Sequence, residues 1–229
     1  MQETPTKTNK RITLAEIKQL PQIQQYIVSA DKFLKAMGFT EHGFRHVTLV
    51  SNIAENVMEL LGYSEREREL AAIAGYIHDI GNITGRHDHG KAGAIMCFHI
   101  LEGIGMPYDE VACIVGAVGN HEEQYGEAVN TIAAALILAD KSDVHRTRVR
   151  RRDVSQFDIH DRVNYAATSS FLHVSAEPRE VTLKIEIDNT ISSVMEYFEI
   201  FMERMLMCQR AAKMLDARFR LNINGADIL

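Results

Sequence analysis

The segment LAAIAGYIHDIG, residues 70–81, is apolar along most of its length and then closes on a polar pair, His78 and Asp79. A helix of that composition is buried nearly all round. A buried His–Asp pair is costly unless other groups meet it, so the fold must bring polar partners to this helix end. SERE (64–67) has the form of a capping box and opens the helix; Gly81 is expected to end it.

The segments around it carry a helical period. In FRHVTLVSNIAENVMELLG, His46, Val50, Ile53 and Val57 share one face, and Gly62 is placed to stop the helix in a left-handed turn. TLAE (13–16) is a further capping box, and a helix runs from there, through a restart at Pro21, to about Gly38. GKAGAIMCFHILEGIG, VACIVGAVGNHEE and NTIAAALILADKSDVH read as three more helices with short Gly- or Pro-marked connections. Residues 1–12 are polar and expected to fray.

The pattern changes after about residue 150. SFLHVSA and VTLKIEI are β-rich, and Leu183, Ile185 and Ile187 alternate with Thr182, Lys184 and Glu186, as in a half-buried strand. An antiparallel hairpin is expected there, with RFRLNING as a possible third strand. Between them a helix is expected over about 190–215. Ile191, Val194, Phe198, Phe201, Met205, Cys208, Ala212 and Leu215 form its apolar seam, which either covers the small sheet or joins two copies in a homodimer. The fold class is thus mainly α: a helical core over 13–150 with a small C-terminal α+β appendage over 151–229.

Four helices each direct a His or Asp inward. His46 lies on its helix's apolar face. His78 follows Leu70 and Ala74 at helical spacing; His121 follows Ile114, Ala117 and Val118; Asp140 follows Leu136 and Ile137. A single inward histidine is most often a hydrogen-bonded core residue. Two buried carboxylates, however, raise each other's pKa, and a divalent cation relieves both. Imidazole nitrogen with carboxylate oxygen suits Zn, Mn, Fe and Ni. Neighbours on a helix point about 100° apart, so His78 and Asp79 reach one ion only at a helix end.

Composition narrows the remaining choices. The net charge of −6 argues against a general nucleic-acid surface. Cys97, Cys113 and Cys208 form no CxxC and no disulfide framework, so a reducing compartment is expected. No secretory leader or membrane-length apolar run is evident, which makes a cytoplasmic protein the expectation. Nucleophile elbows, P-loops and GxGxxG loops are absent from the sequence.

The order His46, His78-Asp79, His89, His121, Asp140, with HDIG at 78–81, resembles the HD superfamily of metal-dependent phosphohydrolases over about residues 40–145. The resemblance implies an HD-type helical core in which His46, His78, Asp79 and Asp140 hold a metal. HGKAGA (89–94) is similar to the HGxxGA of the subgroup that cleaves diadenosine tetraphosphate, which assigns His89 and His121 to a second ion and makes Asp79 the bridge. Two ions are implied, iron or manganese before zinc, nickel, cobalt or magnesium. The cyclic-di-GMP phosphodiesterases of the superfamily carry Lys where Asn82 stands and a second His where Asn120 stands, so that substrate is disfavoured.

The implied function is hydrolysis of a phosphate ester, of a nucleotide or dinucleotide, by a metal-activated water. The alternative is an HD-fold module that binds a nucleotide without turnover. His78, Asp79, Lys91 and Glu122 are the candidate catalytic residues; Lys91 and Arg146 are the candidate phosphate contacts. Arg146 opens a basic run with Arg148, Arg150, Arg151 and Arg152. His87 is expected to be a solvated bystander, and His42, His99, His145, His160 and His173 structural or surface residues.

Overall fold

A computed structural model describes residues 10–151 and 153–229. Its order is α1 (Leu14–Gln19), α2 (Pro21–Ala36), α3 (Phe44–Leu60), α4 (Glu65–Ile77), a 3-10 turn (Ile80–Ile83), α5 (His89–Gly103), α6 (Tyr108–Gly119), α7 (Thr131–Ser142) and α8 (Ile159–Ala166). Strands β1 (Ala167–Ser175) and β2 (Glu180–Ile187), helix α9 (Val194–Met214), β3 (Arg218–Ile223) and β4 (Ala226–Asp227) complete it. The capping boxes at Thr13 and Ser64 both form, and Gly62 takes φ +80°. Among the described residues no helix is long and apolar enough to cross a membrane.

α3 and α4 are the closest-packed helix pair, and α7 lies across both. Gly75 makes that closeness possible: a Cβ there would stand 2.8 Å from the Ser51 backbone. Ser51 in turn donates to the Ala72 carbonyl at 2.7 Å. The seam between α3 and α4 thereby carries His46 and His78 toward one point.

The sheet order is β1-β2-β3-β4. β1 and β2 form the expected antiparallel hairpin, with Leu183, Ile185 and Ile187 buried. β3 joins β2 in parallel, which the connection through α9 permits.

Several expectations are corrected. Residues 1–9 lie outside the described residues, but 10–12 are not frayed: the Lys10 N–H donates to the Gly105 carbonyl and Ile12 is buried. The long helix starts at Val194 rather than Thr190, because Ser193 and Glu196 form a third capping box. Of its seam, Phe201, Met205, Cys208, Ala212 and Leu215 are buried within the chain, where α9 packs on α7 and β3, and Met195, Met202, Leu206 and Met214 are the exposed apolar residues of the helix. The same buried cluster includes side chains of α3, α4 and α7 and of β2, α9 and β3, so the core runs unbroken across residue 150. Gly81 does not itself end the helix: α4 ends at Ile77, and Gly81 sits inside the 3-10 turn. Its hydrogen faces the His89 carbonyl and the Gly93 N–H so closely that no Cβ would fit.

Candidate metal centre

The six sequence-predicted histidines and aspartates converge, from positions that are mostly helix ends. His46 lies in the first turn of α3 and Asp140 in the last turns of α7. His78 caps the C-terminus of α4, Asp79 begins the 3-10 turn, His89 is the first residue of α5, and His121 follows the C-cap of α6. His78 and His121 thus lie just past the helices on which their spacing put them; His78, in αR conformation at the C-cap, carries on the spiral of α4.

Each imidazole is fixed through Nδ1. His46 Nδ1 donates to Asp143 Oδ2 at 2.7 Å, His78 Nδ1 to the Gly75 carbonyl at 2.8 Å, and His121 Nδ1 to the Val118 carbonyl at 2.7 Å. His89 Nδ1 faces the Arg86 carbonyl at 2.9 Å and Glu122 Oε1 at 3.0 Å. Those acceptors place the proton on Nδ1 and leave Nε2 as a bare lone pair.

The four Nε2 atoms then face one another and two carboxylates. His46 and His78 Nε2 are 3.3 Å apart, and His89 and His121 Nε2 are 3.0 Å apart. Asp79 stands between the pairs. Its Oδ2 is 3.6 Å from His46 Nε2 and 3.5 Å from His78 Nε2; its Oδ1 is 3.3 Å from His89 Nε2 and 3.7 Å from His121 Nε2. Asp140 Oδ1 joins the first pair, 3.3 Å from His46 and 3.8 Å from His78.

These spacings fit ions. Bonds of about 2.1 Å put neighbouring ligands roughly 3.0–3.4 Å apart, depending on the angle. Asn82 donates to Asp79 Oδ1 at 2.8 Å, whereas the buried Oδ2 has no hydrogen-bond partner among the described residues. A proton on one ring of each pair would bridge that pair but leave Oδ2 unmet. A divalent cation meets all of them. His46, His78 and Asp140, and separately His78, Asp79 and His121, lie close enough to hold one.

Burial disfavours the charged form of all four imidazoles; it pushes His78 down to about 4 and lowers His121, whereas the carboxylates beside His46 and His89 outweigh it and raise both. Burial alone would raise the Asp79 and Asp140 carboxyls. The neighbouring histidines outweigh it for Asp79, and Lys141 with His46 for Asp140, holding both well below the ordinary range. Glu122 likewise falls to about 2: its burial is outweighed by hydrogen bonds from His89 and the Gly90 N–H.

A cavity of about 400 Å³ opens beside His89 and His42. Glu122, Lys141 and Arg148 line it, and so does the exposed His87. Lys91 and Arg146 are not brought there. Lys91 is exposed, paired with Asp88 at 2.8 Å and over the Tyr125 ring; Arg146 lies over Tyr165. Arg150 pairs with Asp31, and Arg152 lies outside the described residues.

The sequence reading missed Asp143, buried behind His46 and bound by both Arg45 guanidinium nitrogens at 2.9 Å. Its spacing of three from Asp140 was the available signal. His42, expected to be a structural or surface residue, is buried with its ring 5.3 Å from that of His46.

Imidazoles and carboxylates brought together in this way form groups that could hold a divalent cation. The HD domain family model matches residues 43–162, over half of the chain and with all six converging residues inside, so the chain belongs to the HD domain family, whose members are in general metal-dependent phosphohydrolases. No curated protein matches the chain.

Proposed function

We propose that the chain is a two-metal phosphohydrolase acting on the phosphate ester of a nucleotide or dinucleotide, with iron or manganese as the resident ions. His46, His78, Asp79 and Asp140 would hold an inner ion, and His89, His121 and Asp79 an outer one. The observation that carries this reading is Asp79: its two oxygens turn to two different ligand groups, and one of them has no other partner. When bound, such ions polarise a phosphoryl oxygen and activate a water toward phosphorus.

The chain's own residues do the positioning. Asp143 fixes the His46 ring and Glu122 the His89 ring, so that both Nε2 atoms keep their direction. Asn82 sets the rotation of the Asp79 carboxylate. Lys141, 2.7 Å from Asp140, holds that carboxylate ionised at the cavity wall. Glu122 serves as a positioning residue. Lys91 and Arg146, turned to other partners, take no part.

Metal analysis of protein purified without chelator, followed by a manganese-supplemented panel of nucleotides and dinucleotides, tests the proposal. About two ions per chain and release of phosphate are expected. Protein that takes up no transition metal on reconstitution would overturn it, and tight nucleotide binding without turnover would favour a regulatory module instead.

A further inference from the structure

The cavity beside the candidate metal centre is lined by several cations, and nearly all of them are already neutralised. Lys141 is 2.7 Å from Asp140 and 3.4 Å from Glu123. Arg204 pairs with Glu123 at 2.8 Å, and Arg151 with Asp161 at 2.5 Å and Asp158 at 3.2 Å. Arg148 donates to the Asp143 and Glu41 carbonyls, with the Asp143 carboxylate 3.6 Å away.

Arg86 differs. Among the described residues it is the one arginine or lysine lining the cavity that has no carboxylate partner. Its NH1 reaches the neutral Asn82 Oδ1 at 3.3 Å, and its guanidinium lies 5.9 Å from the centre of the Phe39 ring. The same NH1 stands 3.4 Å from His89 Nε2, the atom that faces the outer ion position. An anion held at that position is within reach of Arg86. A partly buried guanidinium with neutral neighbours only is placed for an anion that arrives with the substrate.

The rest of the cavity limits what else that substrate carries. Glu122, Glu123, Asp158 and Asp161 share its walls, and each cation there other than Arg86 already faces acid. A second or third phosphate would meet carboxylates without a free counter-charge. Phe39, Ile200 and Phe201 offer apolar surface instead.

We infer that Arg86 is the phosphate anchor of the substrate, and that the substrate is a phosphate monoester: one terminal phosphoryl group on an uncharged, nucleoside-sized body. This rests on the phosphohydrolase reading above and narrows it, from nucleotides and dinucleotides generally to nucleoside monophosphate-like esters.

Calorimetric titration of the manganese-treated protein with inorganic phosphate tests the anchor without turnover. Arg86→Ala is expected to weaken phosphate binding about tenfold to a hundredfold, with Arg86→Lys in between and metal content unchanged. Phosphate affinity that is the same in Arg86→Ala and wild type, or absent from both, would overturn the proposal. Competition then compares a nucleoside 5′-monophosphate with the 3′,5′-bisphosphate and with a dinucleoside tetraphosphate. Tightest binding of the monophosphate is expected, and tighter binding of either polyanion would overturn the monoester assignment. Arg86-dependent phosphate binding in a protein that cleaves no ester would support the anchor and sink the hydrolase reading alone.

Discussion

The two halves of the candidate centre are built differently. The inner half takes His46 from the first turn of α3 and Asp140 from the last turn of α7, and an ionic contact stands behind it: Asp143, buried, between His46 and Arg45. The outer half takes His89 from the start of α5 and His121 from just past α6, backed by backbone carbonyls and by Glu122 at the cavity wall. The inner half is therefore tied into a buried ion network that joins α3 to the end of α7, whereas the outer half lies on the cavity side, where His89 and Glu122 line the wall. The contrast implies that damage to the inner half costs fold and metal together, and that damage to the outer half costs metal alone.

The largest effect is expected from Asp143→Ala. It strips the carboxylate from the buried His46 Nδ1 and leaves Arg45 without its bidentate partner. Breaking a buried charged network costs about 3 kcal/mol, the low end of the usual range, because the Arg45 side chain is 36% exposed. Urea unfolding of the metal-free protein should register that loss, and the inner ion should bind more weakly as well. An unchanged midpoint in urea would mean that the inner half is no more structural than the outer.

A smaller effect, confined to metal, is expected of His121→Ala. The residue follows a helix end and donates only to the carbonyl of its own last turn. Its removal should drop metal content from about two ions to about one and leave unfolding of the metal-free protein nearly unchanged. Loss of both ions would show that the halves do not load separately, and the contrast between them would fail at its first requirement.

Much of this was legible in the sequence, for identifiable reasons. His46 and Asp140 follow from helical period, because they lie in helices. His78 and His121 were reached by the same arithmetic, although the helices stop short of them; they face inward because each Nδ1 returns to a carbonyl of the turn just completed. What the sequence hid was pairing across long separations. Asp143 meets Arg45 across 98 positions, and β3 joins β2 in parallel only after α9 has crossed. The partners of nearby cations were equally hidden. Lys91, beside a predicted ligand, and Arg86, three residues ahead of it, look alike as letters, but Asp88 binds Lys91 and no acid binds Arg86.

The smallest effect should come from Glu122→Gln, and it sharpens the contrast most. The Glu122 carboxylate accepts from the Gly90 N–H and faces His89 Nδ1, at the entrance of α5. Gln keeps the size and one accepting oxygen, so the ring stays in place. What disappears is the negative charge, which makes His89 Nε2 a better donor to a cation. Changes of this kind in a shell behind a ligand cost about tenfold in metal affinity. Competition with a chelator should therefore show the more weakly held ion leaving about ten times more readily, while the tightly held one keeps its wild-type affinity. Equal weakening of both would place the Glu122 charge in a field shared by the whole site, and the outer half would then have no second shell of its own.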